Sequence, residues 1–137
     1  MLAYNCDLTI ENITFTGRKD PGDKSMPGGG IAFYLDNNNL LLNFCKVRYN
    51  LSDNSTGGLQ FNGKKSSIVM NNCVITHNVT SHIGGGVSIY GAYGTYIINN
   101  CAIVNNYARE DGGLTISGNR SSAVINDSII SENEASY

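Results

Sequence analysis

One spacing governs this chain. Gly29, Gly57, Gly85 and Gly113 follow one another at 28 residues, and the sets Cys45, Cys73, Cys101; Val47, Ile75, Ile103; and Asn50, Asn78, Asn106 keep the same interval. A period shared at once by glycine, cysteine, aliphatic and amide positions marks a repeat architecture in which copies stack. Ile130 and Asn133 arrive one residue early, at 27, a slip that a corner absorbs. The 137 residues hold roughly five copies, the first and last incomplete.

Within each copy the hydrophobic alternation is that of strands with one buried face. The first strand reads Ile31-Ala32-Phe33, Leu59-Gln60-Phe61, Val87-Ser88-Ile89 and Leu114-Thr115-Ile116. The second reads Leu40-Leu41-Leu42, Ile68-Val69-Met70, Tyr96-Ile97-Ile98 and Ala123-Val124-Ile125. The third reads Cys45-Lys46-Val47, Cys73-Val74-Ile75, Cys101-Ala102-Ile103 and Ser128-Ile129-Ile130, with Leu8-Thr9-Ile10 and Ile13-Thr14-Phe15 as the partial first copy. No single copy has enough apolar surface to fold alone, whereas stacking gives every strand a parallel neighbour and a shared core. The chain is therefore expected to be one all-β domain over residues 1–137. Its expected form is a parallel β-helix of about five turns, three short strands per turn, advancing about 4.8 Å per turn. Right-handedness follows from the chirality of parallel crossovers. The inward ladders are expected at Ile31/Leu59/Val87/Leu114, Phe33/Phe61/Ile89/Ile116, Leu42/Met70/Ile98/Ile125 and Val47/Ile75/Ile103/Ile130.

Composition excludes several partners. A net charge of −2 with 15% charged residues offers nothing to nucleic acid or an anionic membrane. No run approaches the roughly 18 apolar residues of a membrane helix. Sixteen glycines, 19 asparagines and no tryptophan fit a fold built from turns.

The repeated polar residues read as scaffold. Cys45, Cys73 and Cys101 form one ladder, read as buried free thiols, with a single bridge and a metal site as lesser alternatives. His77 and His82 have no histidine or cysteine at one period's distance and no Cys-x-x-Cys occurs, so no metal site and no cofactor is expected. Asn43, Asn71, Asn99 and Asn126, like Asn50, Asn78, Asn106 and Asn133, are expected to bond up the coil and to take the left-handed backbone of the corners. Of six Asn-x-Ser/Thr sequences, at Asn12, Asn50, Asn54, Asn78, Asn119 and Asn126, the loop positions Asn54 and Asn119 are the candidate glycan acceptors.

Acid/base catalysis on such a scaffold needs clustered carboxylates on outward faces. The outward positions Ala32, Gln60, Ser88 and Thr115 carry none. Neither do Thr14, Lys46, Val74, Ala102 and Ile129, nor Thr16, Arg48, Thr76, Val104 and Ser131. Asp20, Asp23, Asp36, Asp53, Glu110, Asp111, Glu132 and Glu134 read as solvated turn residues, so no catalytic residue is assigned. Two features exceed the needs of stacking. The long loop after Phe15 carries Lys19, Asp20, Asp23 and Lys24 and is a candidate recognition loop. Leu41, Val69, Ile97 and Val124 form an outward apolar stripe, a candidate lateral interface.

The elements Gly-Gly-Gly-Ile31, Gly-Gly-Leu59, Gly-Gly-Gly-Val87 and Gly-Gly-Leu114 resemble the repeats of polymorphic outer membrane proteins. So do Val47-Arg-Tyr-Asn50, Ile75-Thr-His-Asn78, Ile103-Val-Asn-Asn106 and Ile130-Ser-Glu-Asn133. The resemblance covers nearly the whole chain, with glycine standing for the alanine of the first motif and an aliphatic for the phenylalanine of the second, which Phe15 alone keeps. It implies a right-handed β-helix of the pectate-lyase-like type, in a surface-exposed or secreted adhesin. The function expected is a non-catalytic structural or adhesive module at the cell surface or outside the cell, with surface glycans as candidate partners. The alternative is a carbohydrate-binding or polysaccharide-degrading coil, on fold analogy. With a strand expected from about Leu8 and no capping element to Tyr137, the chain reads either as a segment of a longer solenoid or as a unit that stacks head to tail into a fibre.

Overall fold

Strands only two to six residues long cannot hold together singly, so the fold depends on every strand finding its counterpart one period away. A computed structural model describes residues 2–4, 7–17, 30–53 and 55–137. The first coil contributes β1 (Leu2–Tyr4), β2 (Leu8–Glu11) and β3 (Thr14–Phe15). The second contributes β4 (Ile31–Asp36), β5 (Asn39–Asn43), β6 (Lys46–Arg48) and β7 (Leu51–Ser52). The third contributes β8 (Leu59–Lys64), β9 (Ser67–Asn71), β10 (Val74–Thr76) and β11 (Val79–Thr80). The fourth contributes β12 (Val87–Ala92), β13 (Thr95–Asn99), β14 (Ala102–Val104) and β15 (Tyr107–Ala108). The fifth contributes β16 (Leu114–Ser117), β17 (Ser122–Asn126), β18 (Ile129–Ser131) and β19 (Glu134–Ala135).

These strands stack into four parallel sheets: A (β1-β4-β8-β12-β16), B (β2-β5-β9-β13-β17), C (β3-β6-β10-β14-β18) and D (β7-β11-β15-β19). The register follows the sequence period. Leu41 pairs with Val69 and Val69 with Ile97, each 28 residues on, and Ile97 pairs with Val124, 27 on. Thr9 pairs with Leu41 at 32, because the sequence from Phe15 to Ile31 is four residues longer than that from Val47 to Leu59, their partners in register. The fold is thus the expected all-β parallel solenoid.

The core fills the coil as stacked columns. Phe33, Phe61 and Ile89 are buried, and the two phenyl rings stack at 5.4 Å. Leu42, Met70 and Ile98, and Val47, Ile75 and Ile103, are buried likewise. A further inward column, Leu40/Ile68/Tyr96, lies on sheet B. The Gly-Gly elements lead into sheet A where backbones crowd: a Cβ on Gly57, Gly58, Gly85 or Gly86 would meet the carbonyl oxygen of a glycine one coil on.

The structure corrects six expectations. Each full turn has four strands, since the residues after Asn50, Asn78, Asn106 and Asn133 pair as sheet D, strands too short to show alternation. The first coil begins at β1, ahead of Leu8, and sheet A strands run to six residues. In the fifth coil Ile125 and Ile130 are 45% and 42% exposed, because they pack against the fourth coil on one side alone in this structure. Ser88 faces outward yet is buried, since the segment through Gly84 crosses over it. Finally, at the B/C and C/D corners the left-handed residues are the neighbours of the ladder asparagines and not the ladder asparagines themselves. Three columns with φ between 46° and 59° turn the corners: Asn37/Lys65/Tyr93/Arg120 between A and B, Asn12/Phe44/Asn72/Asn100/Asp127 between B and C, and Tyr49/His77/Asn105/Glu132 between C and D. A ladder asparagine beside the corner keeps its amide aligned with the stack while its neighbour makes the turn.

Candidate functional site

Most repeated polar groups are committed to the coil. In the inner ladder the Asn50 Nδ2 donates to Asn78 Oδ1 at 2.8 Å, Asn78 to Asn106 at 2.9 Å and Asn106 to Asn133 at 2.9 Å. Each of these amides also donates to a carbonyl one coil back, as Asn78 does to Val47 at 3.0 Å. Each acceptor oxygen also takes the backbone N–H of the neighbouring asparagine. The outer ladder runs the opposite way: Asn126 donates to Asn99, Asn99 to Asn71 and Asn71 to Asn43, each at 2.9 Å, and Asn43 donates to the Glu11 carboxylate at 2.7 Å. Both sets are stacked amides, as the spacing implied.

Cys45, Cys73 and Cys101 are free thiols and buried, but they act as more than small apolar groups. Cys73 Sγ donates to carbonyls of Leu42 and Asn71, and the Cys73 backbone N–H points at Cys101 Sγ at 3.4 Å. In the next coil Ser128 takes over the role, its hydroxyl accepting from the Cys101 N–H and donating to Asn126. Its hydrogen bond to Cys101 and its burial raise the Cys73 thiol above the usual range, which keeps it protonated. No three His, Cys, Asp or Glu side chains gather among the described residues.

The candidate residues fall apart spatially. Lys19, Asp20, Asp23, Lys24 and Asn54 lie outside the described residues. Asn119 sits exposed in the turn between β16 and β17, and Asn12 is exposed at a corner. Asn50 and Asn78 are buried in the inner ladder and Asn126 donates into the outer one, so these three amides are already engaged. The stripe Leu41/Val69/Ile97/Val124 is in register on the outer face of sheet B. Its first three members are half-buried and Val124 is exposed. The strand carboxylates do not face one another: Glu11 pairs with Asn43, Asp36 with Lys64 and Glu134 with Tyr107. Asp36 and Glu134 belong to strands, a correction to their reading as turn residues.

One open cleft lies on the outer face of sheet A. Because β4, β8 and β12 are six residues long, their outer face has two columns beyond the covered Ala32/Gln60/Ser88 column. Tyr34, Asn62 and Tyr90 pair in register, followed by Asp36, Lys64 and Ala92. Between them lies a cleft of about 320 Å³ lined by these six residues with Leu35, Gly63 and Gly91. The A/B corner beside it carries Lys65, Tyr93 and Arg120, and the Arg120 guanidinium lies 5.7 Å from the Tyr93 ring centroid. A strand taken as three residues stops short of these columns. The recurrence of Tyr34, Asn62 and Tyr90 at 28 residues, continuing the alternation, was the signal that could have located them.

Comparisons agree with the architecture. The family described as "Right handed beta helix region" matches residues 1–134. No curated protein and no solved structure matches the chain. A family match over nearly the full length, on a chain whose coils stack in parallel register, places this protein in the right-handed β-helix family.

Proposed function

We propose that this chain is a non-catalytic structural and adhesive β-helix module of the cell surface or extracellular space, a stiff coil that carries a binding face. The observation supporting this most directly is the division of labour among its polar groups. The asparagine and cysteine ladders hold the coils together, while the strand carboxylates pair in register with an amide, a lysine and a tyrosine and never with one another. Acid/base cleavage of a glycosidic bond by paired carboxylates has no counterpart in that pattern. The resemblance to polymorphic outer membrane protein repeats supports the location. The uncommitted tyrosines of sheet A favour binding over chemistry, since aromatic faces with a few polar groups are the usual furniture of a recognition surface.

The test uses the labelled chain in two assays. Saturable retention on intact cells and on extracellular matrix is expected, with no new reducing ends or unsaturated products from a panel of polysaccharides. Product formation at a rate proportional to protein concentration would overturn the non-catalytic reading, and absence of any surface retention would overturn the adhesive one.

A further inference from the structure

We infer that the outer face of sheet C is the contact surface for a second copy of this chain, packed side by side with its coil axis reversed; the inference goes beyond the adhesive reading and does not depend on it.

The face is built from the two outward columns of sheet C and the corner columns that flank them. Its middle is short and uncharged. Val74 pairs in register with Ala102, and Thr76 with Val104, all four half-buried. The corner residues of these two coils are Asn72, His77, Asn100 and Asn105. The coils on either side differ in sign. In the same columns the second coil carries Lys46, Arg48 and Tyr49, and the fifth carries Asp127, Ile129 and Glu132. All six are exposed, Tyr49 by 57% and Ile129 by 61%. None of the four charged side chains forms an ion pair among the described residues, and the Arg48 guanidinium lies 5.9 Å from the Tyr49 ring centroid.

Charge therefore changes sign along the coil axis over three coil steps, about 14 Å, across a neutral and largely apolar centre. Sheets A and B do not segregate charge in this way. On sheet A, Asp36 and Lys64 are neighbours in register, and the sheet B stripe Leu41/Val69/Ile97/Val124 bears no charge.

Such a face complements itself. A two-fold axis parallel to the strands, passing between the third and fourth coils, keeps each column opposite its own copy and reverses the order of the coils. The second coil then meets the partner's fifth, and the third meets the partner's fourth. Arg48 comes beside the partner's Glu132 and Lys46 beside the partner's Asp127, once on each side of the axis, while Val74 faces the partner's Ala102. Coil axes pointing the same way would set the basic coil against the basic coil and the acidic against the acidic. Complementary potentials of this kind fix orientation and suppress the wrong pairing.

Area limits the strength. Four coils by six residues of strand cover roughly 400 Å² on each copy, or roughly 800 Å² in all, below the roughly 1,200 Å² at which stable complexes begin. The dimer is transient, with a dissociation constant on the order of 0.1 mM and a marked dependence on salt.

Sedimentation velocity of the whole chain, from about 10 μM to about 1 mM, is the experiment. A monomer–dimer equilibrium is expected at low salt, at least about tenfold weaker in about 0.5 M salt. Arg48→Glu, Glu132→Arg and Ile129→Asp should each weaken it by about tenfold or more. Lys64→Glu, on sheet A, should leave it unchanged, with thermal melting confirming that every variant is folded. Mixing the Arg48→Glu and Glu132→Arg chains should recover the dimer, because both contacts then join opposite charges. Both substitutions in one chain should recover it too, which a pair with parallel axes would not do. A chain monomeric at every concentration overturns the inference. So does association that charge reversal leaves intact, as end-to-end stacking into fibres would be, and so does failure of the doubly reversed chain to recover the dimer.

Discussion

Replacing Asn78 by alanine should be among the most damaging single changes available outside the apolar core, and its cost can be worked from the ladder. The amide oxygen accepts the Asn50 backbone N–H at 3.2 Å and the Asn50 Nδ2 at 2.8 Å, and its nitrogen donates to Val47 O at 3.0 Å and Asn106 Oδ1 at 2.9 Å. Asn106 Oδ1 keeps the Asn78 backbone N–H at 3.0 Å, so it is not stranded. The Asn50 N–H, one Asn50 Nδ2 donor and the Val47 carbonyl are left without these partners, in a region where Asn50 and Val47 are buried. At about 1–3 kcal/mol for each stranded group, and with some relaxation, the sum is about 3–5 kcal/mol. For a domain of this size that is roughly a 10–20 °C fall in melting temperature, and a large part of a typical total stability of about 5–15 kcal/mol. Asn71→Ala is the matched comparison. It removes one donated and one accepted bond in the outer ladder, both at 2.9 Å, where water can replace them, so about 0.5–1 kcal/mol is expected. Urea and thermal unfolding of the two variants beside the parent chain measure the difference. Equal and small losses would refute the claim that the inner amide column, rather than apolar packing alone, holds the C/D corner.

Ile75→Asp, at a fully buried position between Val47 and Ile103, should cost several kcal/mol. Val74→Asp, on the outer face one residue earlier, should be tolerated, and denaturant midpoints that do not separate the two would contradict the register. Ser88→Ala should leave stability unchanged or raise it by about 1 kcal/mol, because the Ser88 hydroxyl is buried without a partner. Gly84→Ala should destabilise, since Gly84 sits at φ 80° and a Cβ there would meet Ser88 Oγ; a melting temperature at or above that of the parent would contradict this contact. Phe44→Asn should stabilise by about 0.5–1 kcal/mol, because exposed Phe44 is held at φ 53° in a column otherwise made of Asn and Asp; a lower melting temperature would point to a packing role for the ring. Cys73→Ser should fold, as Ser128 does the same work two positions along the column. Native protein should resist a thiol reagent at Cys45, Cys73 and Cys101 until unfolded, and rapid native labelling would contradict their burial.

Much of this protein was legible in its period. Because each coil must repeat the hydrogen-bonding geometry of the last, positions one period apart share an environment, and the recurring Gly-Gly, aliphatic, Cys and Asn positions announced the parallel stack and its inward columns. The asparagine ladders could be anticipated for the same reason, as a repeated amide stacked at strand spacing finds its own kind. What the period could not supply was the shape of one coil. Sheet D strands are two residues long, below the length at which alternation is visible, and the left-handed residues include Phe44, Tyr49, His77 and Tyr93, types with no preference for that backbone. Their conformation is imposed by neighbouring coils. Burial of Ser88 likewise depends on the segment through Gly84 passing over it, a contact between parts of one coil that alternation assigns to solvent. The sheet A cleft arises because the strands run three residues beyond their obvious apolar core, bringing Tyr34, Asn62 and Tyr90 into one column while the chain turns at Lys65, Tyr93 and Arg120. Periodicity determines which residues are equivalent; only the closed path of the backbone decides which of those equivalent sets face water, and which of them meet to form a surface.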